Sequence, residues 1–129
     1  MSNILNSRIL VVDDYQTMVR IIQKLLEQIG FKDISTASNG QEALEKINEQ
    51  PFDLVVSDWN MEPMTGIELL KAVRSNPKHK DTPFIMVTAE SKPENVLAAK
   101  DAGVSNYIVK PFNAETLQKK IESVLGPIG

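Results

Sequence analysis

Two hydrophobic periods alternate along the chain. Short continuous apolar runs appear at Ile9-Leu10-Val11-Val12, Leu54-Val55-Val56, Phe84-Ile85-Met86-Val87 and Tyr107-Ile108-Val109, with a weaker one from Ile34 to Ala37. Runs of this length without polar alternation predict strands buried on both faces, as in a parallel sheet covered by helices. Between them the spacing changes to three and four residues. Met18, Ile21, Ile22, Leu25, Leu26 and Ile29 make one stripe, and Gly30 stops that helix. Ala43, Leu44 and Ile47 make a second stripe bounded by Pro51; Ile67, Leu70 and Val73 make a third that ends near Asn76-Pro77. A fourth helix runs from Pro93 to Ala102 and closes at Gly103. A fifth carries Leu117, Ile121, Val124 and Leu125 and closes at Gly126.

The order reads βαβαβαβαβα. It predicts a single-domain α/β fold over 1–129: a doubly wound sheet of five parallel strands with helices on both faces. Ligands of such sheets bind beyond the carboxyl ends of the strands. The residues there decide what chemistry is available. The first strand runs into Asp13-Asp14, the third ends in Asp58, the fourth in Thr88-Ala89 and the fifth in Lys110-Pro111. One aspartate after a strand is usually a turn or cap residue. Four strands ending in complementary groups at one edge are hard to produce from turn propensity alone.

Three carboxylates gathered within a few ångströms repel, and a hard cation relieves that repulsion. Mg²⁺ binds through one or two carboxylates, keeps several waters and shares phosphate oxygens. Asp13, Asp14 and Asp58 are the candidate ligands, with the backbone carbonyl of Asn60 as a further oxygen. Thr88 can donate a hydrogen bond to a phosphoryl oxygen, and Lys110 supplies a point charge. The set has the parts of in-line phosphoryl transfer, with Asp58 as nucleophile forming an aspartyl phosphate.

The stretches VVDDYQTM, VVSDWNMEPMTGIELL, MVTAE and YIVKPF together resemble the receiver domain of two-component response regulators, and within it the stand-alone chemotaxis regulators of CheY type. The resemblance spans essentially the whole chain. It implies a flavodoxin-like (βα)5 fold with strand order 2-1-3-4-5. It implies that Asp58 accepts a phosphoryl group from a chemotaxis histidine kinase, and that Asp13, Asp14 and the Asn60 carbonyl hold Mg²⁺. Thr88 and Lys110 match the switch hydroxyl and the phosphate-contacting lysine. Tyr107 matches an aromatic residue whose ring turns inward as the hydroxyl moves. Lys110-Pro111 matches a peptide bond that is cis in the family. Asn60 and Glu90 match two positions that tune dephosphorylation. The output face is expected on the fourth helix, fifth strand and fifth helix, with Val96, Ala99, Lys100 and Tyr107 meeting a partner such as a flagellar motor switch protein. Lys92-Pro93 stands where enteric relatives carry a lysine pair, a departure in the detail of that contact.

Composition narrows the field further. Hydrophobic residues make up 42% and charged residues 24% of 129, as in an ordinary globular chain. A net charge of -3 offers no basic face to nucleic acid or anionic lipid. There are no cysteines, so disulfides and thiolate metal sites are excluded and a reducing compartment is expected. The first residues lack the pattern of a signal peptide, and no apolar run approaches a membrane span. A cytoplasmic monomer is expected, self-phosphorylating and self-dephosphorylating without acting as an enzyme on other substrates. The chain closes soon after the fifth helix, so output is expected through a protein contact or through phosphate storage.

Four side chains near these features read more plainly. Trp59, the single tryptophan, adjoins Asp58 and is a natural reporter for the pocket. His79, between Pro77 and Pro83, reads as a solvated loop residue and not as a phosphodonor. Met61 and Met64 flank the site in a loop with no assigned role. Two other functions are weighed. An Mg²⁺-dependent aspartyl phosphatase carries a second aspartate two residues after its nucleophile, where this chain has Asn60. A flavin or nucleotide domain needs a phosphate loop after the first strand, where this chain has Asp13-Asp14-Tyr15. Within the receiver reading, the alternative to motor binding is a phosphate sink that drains a shared kinase.

Overall fold

The computed structural model describes residues 4–59, 61, 64–88, 93–110 and 112–126, with the backbone alone over 93–96. Five strands alternate with five helices: β1 Arg8–Val12, α1 Gln16–Ile29, β2 Asp33–Ala37, α2 Gly40–Glu49, β3 Leu54–Asp58, α3 Gly66–Ser75, β4 Phe84–Thr88, α4 Pro93–Asp101, β5 Asn106–Val109 and α5 Ala114–Leu125. A short 3-10 turn, Ile4–Asn6, precedes β1. All pairings are parallel, and the sheet order is β2-β1-β3-β4-β5.

The apolar runs are buried on both faces because alternate residues enter two separate cores. Ile9, Val11, Leu54, Val56, Ile85, Val87 and Ile108 pack with Val19, Ile22 and Leu26 of α1 and with Leu117 and Ile121 of α5. Leu10, Val12, Val55, Phe84 and Met86 pack on the other side with Ala43 and Ile47 of α2 and Leu69, Leu70 and Val73 of α3. Central strands β3 and β4 are buried throughout, whereas the edge strands β2 and β5 are only partly covered. That explains why β2 gave the weakest apolar signal.

Helix boundaries follow local chemistry. The N–H of Gly30, at φ 124°, donates to the carbonyls of Leu26 and Glu27, a backbone that favours glycine at the end of α1. Asn39 and Asn113 cap α2 and α5 by accepting a backbone N–H three residues on. Thr65 and Glu68 form a reciprocal capping box on α3. The α1 stripe needs one correction. Ile21 is exposed and Val19 is buried, because the helix begins at Gln16 and turns the 19-22-26 line to the sheet. Met61 and Met64 also gain roles: Met61 is buried in the second core, and Met64 packs against that core and closes on Gly40.

Ile85 lies on the interior strand β4, fully buried in the α1/α5 core. Ile85→Ala is expected to cost about 2–5 kcal/mol, read as a lower urea midpoint with an unchanged denaturant slope. An unchanged midpoint would contradict the packing described.

Candidate functional site

The strand register assembles the site. Val12 pairs with Ser57, so Asp13 and Asp58 stand at one level at the ends of neighbouring strands. Asp58 pairs with Val87 and Thr88 with Val109, so each step across the sheet brings the next group one residue farther out. Backbone bonds extend the ladder past the formal strand ends. The Asp13 N–H donates to the Ala37 carbonyl at 3.2 Å, Trp59 to Val87 at 3.1 Å and Lys110 to Thr88 at 2.7 Å. Because side chains alternate faces, Asp13, Asp58 and Lys110 continue the lines of Val11, Val56 and Ile108. All three therefore share the α1/α5 side of the edge. Thr88 and Tyr107 continue the opposite lines, through Met86 and the second core.

The side chains converge accordingly. One carboxylate oxygen from each of Asp13, Asp14 and Asp58 lies within 4.8 Å of the others. Asp13 is 1% exposed and Asp58 7%, while Asp14 is open to solvent. The Lys110 Nζ donates to Asp58 Oδ1 at 3.0 Å and stands 3.9 Å from Asp13 Oδ2. Asp13 Oδ1 accepts the Tyr15 backbone N–H at 2.9 Å. Asp13 Oδ2 is buried without a hydrogen bond among the described residues. A buried carboxylate oxygen in that state is costly. Burial, opposed by the Tyr15 N–H and reinforced by the nearby Asp58 charge, pushes the Asp13 carboxyl from 3.8 up to about 6. A hard divalent cation fits this donor set, since it gives the orphaned oxygen a partner and offsets the clustered charge.

Behind the nucleophile, the N-terminus of α3 presses on β3. Gly66 donates to the Trp59 carbonyl at 2.8 Å, and a Cβ on Gly66 would lie 2.1 Å from the Asp58 carbonyl oxygen. Ser57 Oγ also donates to that carbonyl, at 3.0 Å. Gly66 stood in the motif that carried the resemblance, but only the close approach of two backbones gives the reason for it.

Asp13, Asp14, Asp58, Thr88 and Lys110 thus meet at one edge, and Tyr107 lies half-buried on β5. Asn60, Glu90, Lys92 and Pro111 lie outside the described residues, as does the side chain of Val96. On the expected output face Lys100 is exposed, but Ala99 is 1% exposed and belongs to the interior. Its assignment as a partner contact is corrected. α4 has only a faint apolar stripe, so its rotation could not be read from spacing. The structure turns Ala99 inward and leaves Leu97 58% exposed. His79 sits in the turn after α3 and is half-buried, its N–H donating to the Asn76 carbonyl.

With the geometry in place, the comparisons with known proteins agree with it. The family model of the response regulator receiver domain matches residues 9–122. The chain belongs to this family. It is 48% identical over 117 residues to the chemotaxis protein CheY of Pseudomonas aeruginosa, covering 91% of this chain and 94% of that one. It is 46% identical over 119 residues to chemotaxis protein CheY-3 of Vibrio cholerae, covering 92% of each. Among solved structures, chemotaxis response regulator CheY4 of Vibrio cholerae superposes with a TM-score of 0.87 at 40% identity, over 93% of this chain and 99% of that one. The chain is a CheY-like receiver domain, a response regulator of the chemotaxis kind. Among the described residues, no helix is long and apolar enough to cross a membrane.

The raised Asp13 pKa has a definite sign. The folded chain binds this proton more tightly than the unfolded one, so in metal-free protein this group makes stability fall as pH rises from about 4 to 6. Asp13→Asn is expected to stabilise the metal-free chain at pH 7 by ~1–3 kcal/mol and to flatten that part of the thermal-midpoint profile. Parallel profiles for the two chains would contradict it.

Proposed function

We propose that Asp58 accepts a phosphoryl group and that the chain carries signals in chemotaxis by this single modification. The observation that carries the reading is the Lys110 ammonium, 3.0 Å from Asp58 Oδ1 and 3.9 Å from Asp13 Oδ2, an oxygen with no hydrogen bond among the described residues. Asp58 offers a carboxylate held by the Lys110 ammonium in an acidic pocket. A carboxylate oxygen attacks phosphorus of a phosphohistidine on a partner kinase. The new O–P bond forms, the P–N bond breaks, and its electron pair returns to the imidazole. Lys110 is within reach of the added phosphoryl oxygens, and Thr88, buried one step across the sheet, is the hydroxyl donor on the other side.

Asp13, Asp14 and Asp58 are the residues that hold Mg²⁺, with the Asn60 carbonyl as the expected further ligand. When bound, the ion supplies positive charge that offsets the carboxylates and the transferring phosphoryl group. The chain's own residues do the rest. Tyr15 fixes Asp13 through its N–H, Lys110 orients Asp58, and Gly66 lets α3 brace the backbone behind it.

Phosphorylation adds charge and acceptor oxygens at Asp58. Moving a two-state switch from about 1:99 to 99:1 takes about 5.5 kcal/mol. A few charge-assisted hydrogen bonds of roughly 1.5–3 kcal/mol each suffice. Thr88 and Tyr107 share a sheet face on adjacent strands and form the responsive pair. The output is a protein contact with the flagellar motor switch through α4, β5 and α5, where Leu97 and Lys100 are exposed. The chain works in the cytoplasm as a monomer and turns over only its own phosphoryl group, with no catalysis on other substrates.

Mg²⁺ at millimolar concentration is expected to quench Trp59 fluorescence. Acetyl phosphate with Mg²⁺ is expected to raise affinity for a motor switch-protein peptide at least about tenfold. Fast labelling with no gain in affinity would replace the motor role by that of a phosphate sink. Absence of both the metal response and labelling would overturn the receiver chemistry itself.

A further inference from the structure

Lys120 on α5 belongs to none of the groups around Asp58, yet its ammonium is directed at Tyr107. The Nζ lies 5.5 Å from the ring centroid, within cation–π range. We propose that Lys120 is a positioning residue that holds the Tyr107 ring in its resting arrangement, so that phosphorylation at Asp58 works against this contact. The inference deepens the reading of Tyr107 as a switch residue and rests on it.

A small network fixes the ammonium there. The Asn106 Oδ1 accepts the Tyr107 backbone N–H at 2.8 Å and the Lys120 Nζ at 3.5 Å. The Asn106 Nδ2 donates to Ser123 Oγ at 2.7 Å, and Ser123 Oγ donates in turn to the Lys120 carbonyl at 2.6 Å. One amide thus ties the start of β5 to the turn of α5 that carries the lysine. Its neighbour Lys119 behaves differently, pairing with Glu115 at 3.1 Å on the open face of the helix. Among the described residues no carboxylate lies within ion-pair range of Lys120; its ammonium has the Asn106 Oδ1 at 3.5 Å and the ring centroid at 5.5 Å. Lys120 is half-buried, which strengthens such a contact relative to one in open water.

The ring also has somewhere to go. Tyr107 borders a depression of about 220 Å³ lined by Lys100, Val104, Ser105 and Asn106. Its side chain is therefore not enclosed on every side, in contrast to the fully buried Met86 that Tyr107 pairs with in the sheet. A half-covered ring with a cation near it and space beside it has room for more than one arrangement. The cation favours one of them. By linkage, whatever stabilises the resting arrangement makes the phosphorylated one harder to reach by the same factor.

The test uses the full chain, acetyl phosphate and Mg²⁺, with Trp59 fluorescence as the readout. Lys120→Met keeps most of the stem and removes the charge; Lys120→Arg keeps the charge. Lys120→Met is expected to lower the half-saturating acetyl phosphate concentration about two- to fivefold, and Lys120→Arg to leave it near the wild-type value. In a Tyr107→Leu background the Lys120→Met effect is expected to vanish. With fluorotyrosine incorporated, the Tyr107 resonance of unphosphorylated Lys120→Met is expected to shift toward its position in the phosphorylated wild type, a change that loss of stability alone does not give. An unaltered half-saturation, or the same shift with Tyr107 removed, overturns the inference while leaving the Asp58 chemistry intact. A wild type that never responds to acetyl phosphate overturns the underlying reading and this inference with it.

Discussion

The site depends on a charge problem: carboxylates from two neighbouring strands, two of them almost wholly buried, held together among the described residues by the Lys110 ammonium. Asp13 and Asp58 end up side by side because β1 and β3 pair in a register that a one-residue slip would destroy. Lys110 reaches them from the end of β5, two strands from β3 and three from β1, because each pairing from β3 onward steps one residue farther out. Its charge satisfies Asp58 and only approaches Asp13, whose carboxyl is pushed up to about 6 by burial and by the neighbouring Asp58 charge. Such an arrangement is poor as a stabilising device, since buried charges are stabilised only with good geometry and full hydrogen bonding. The donor set suits a hard cation, and the proposed reading adds a phosphoryl anion beside the lysine.

The pleat then separates chemistry from response. Acidic pocket and lysine share the side of the sheet edge that faces α1 and α5. Thr88 and Tyr107 lie on lines that run through the other core. In the proposed reading a phosphoryl group on Asp58 stands at the boundary between the two, with Thr88 one residue past the Asp58 partner on the adjacent strand. On the far side the Tyr107 ring is only partly covered by the second core and has the Lys120 ammonium 5.5 Å from its centroid, the contact proposed to hold its resting arrangement.

Much of this was legible in the chain because fully buried strands leave an unbroken apolar signature. The runs at Ile9, Leu54, Phe84 and Tyr107 located four strands, and reading the polar residue that follows each one located the site. The resemblance supplied the strand order, which alternation of elements does not determine. What escaped the sequence lay where the periodic signal was weak or where two backbones meet. α4 shows little amphipathicity, so Ala99 was placed outward and Leu97 was passed over. In α1 the rows of apolar residues are wide enough that Ile21 passed for a core position. Gly66 is explained only by the Asp58 carbonyl that lies against it, and Lys120 only by the ring it covers. Neither contact has a spacing signature, because each joins elements distant in the chain.

The central claim is that Asp58 is the one side chain in this pocket that takes the phosphoryl group. Intact-mass spectrometry after incubation with acetyl phosphate and Mg²⁺ tests it most directly, comparing the wild type with Asp58→Asn. The account predicts one added phosphoryl group per wild-type chain and none on Asp58→Asn under the same conditions. Equal labelling of both chains would contradict it.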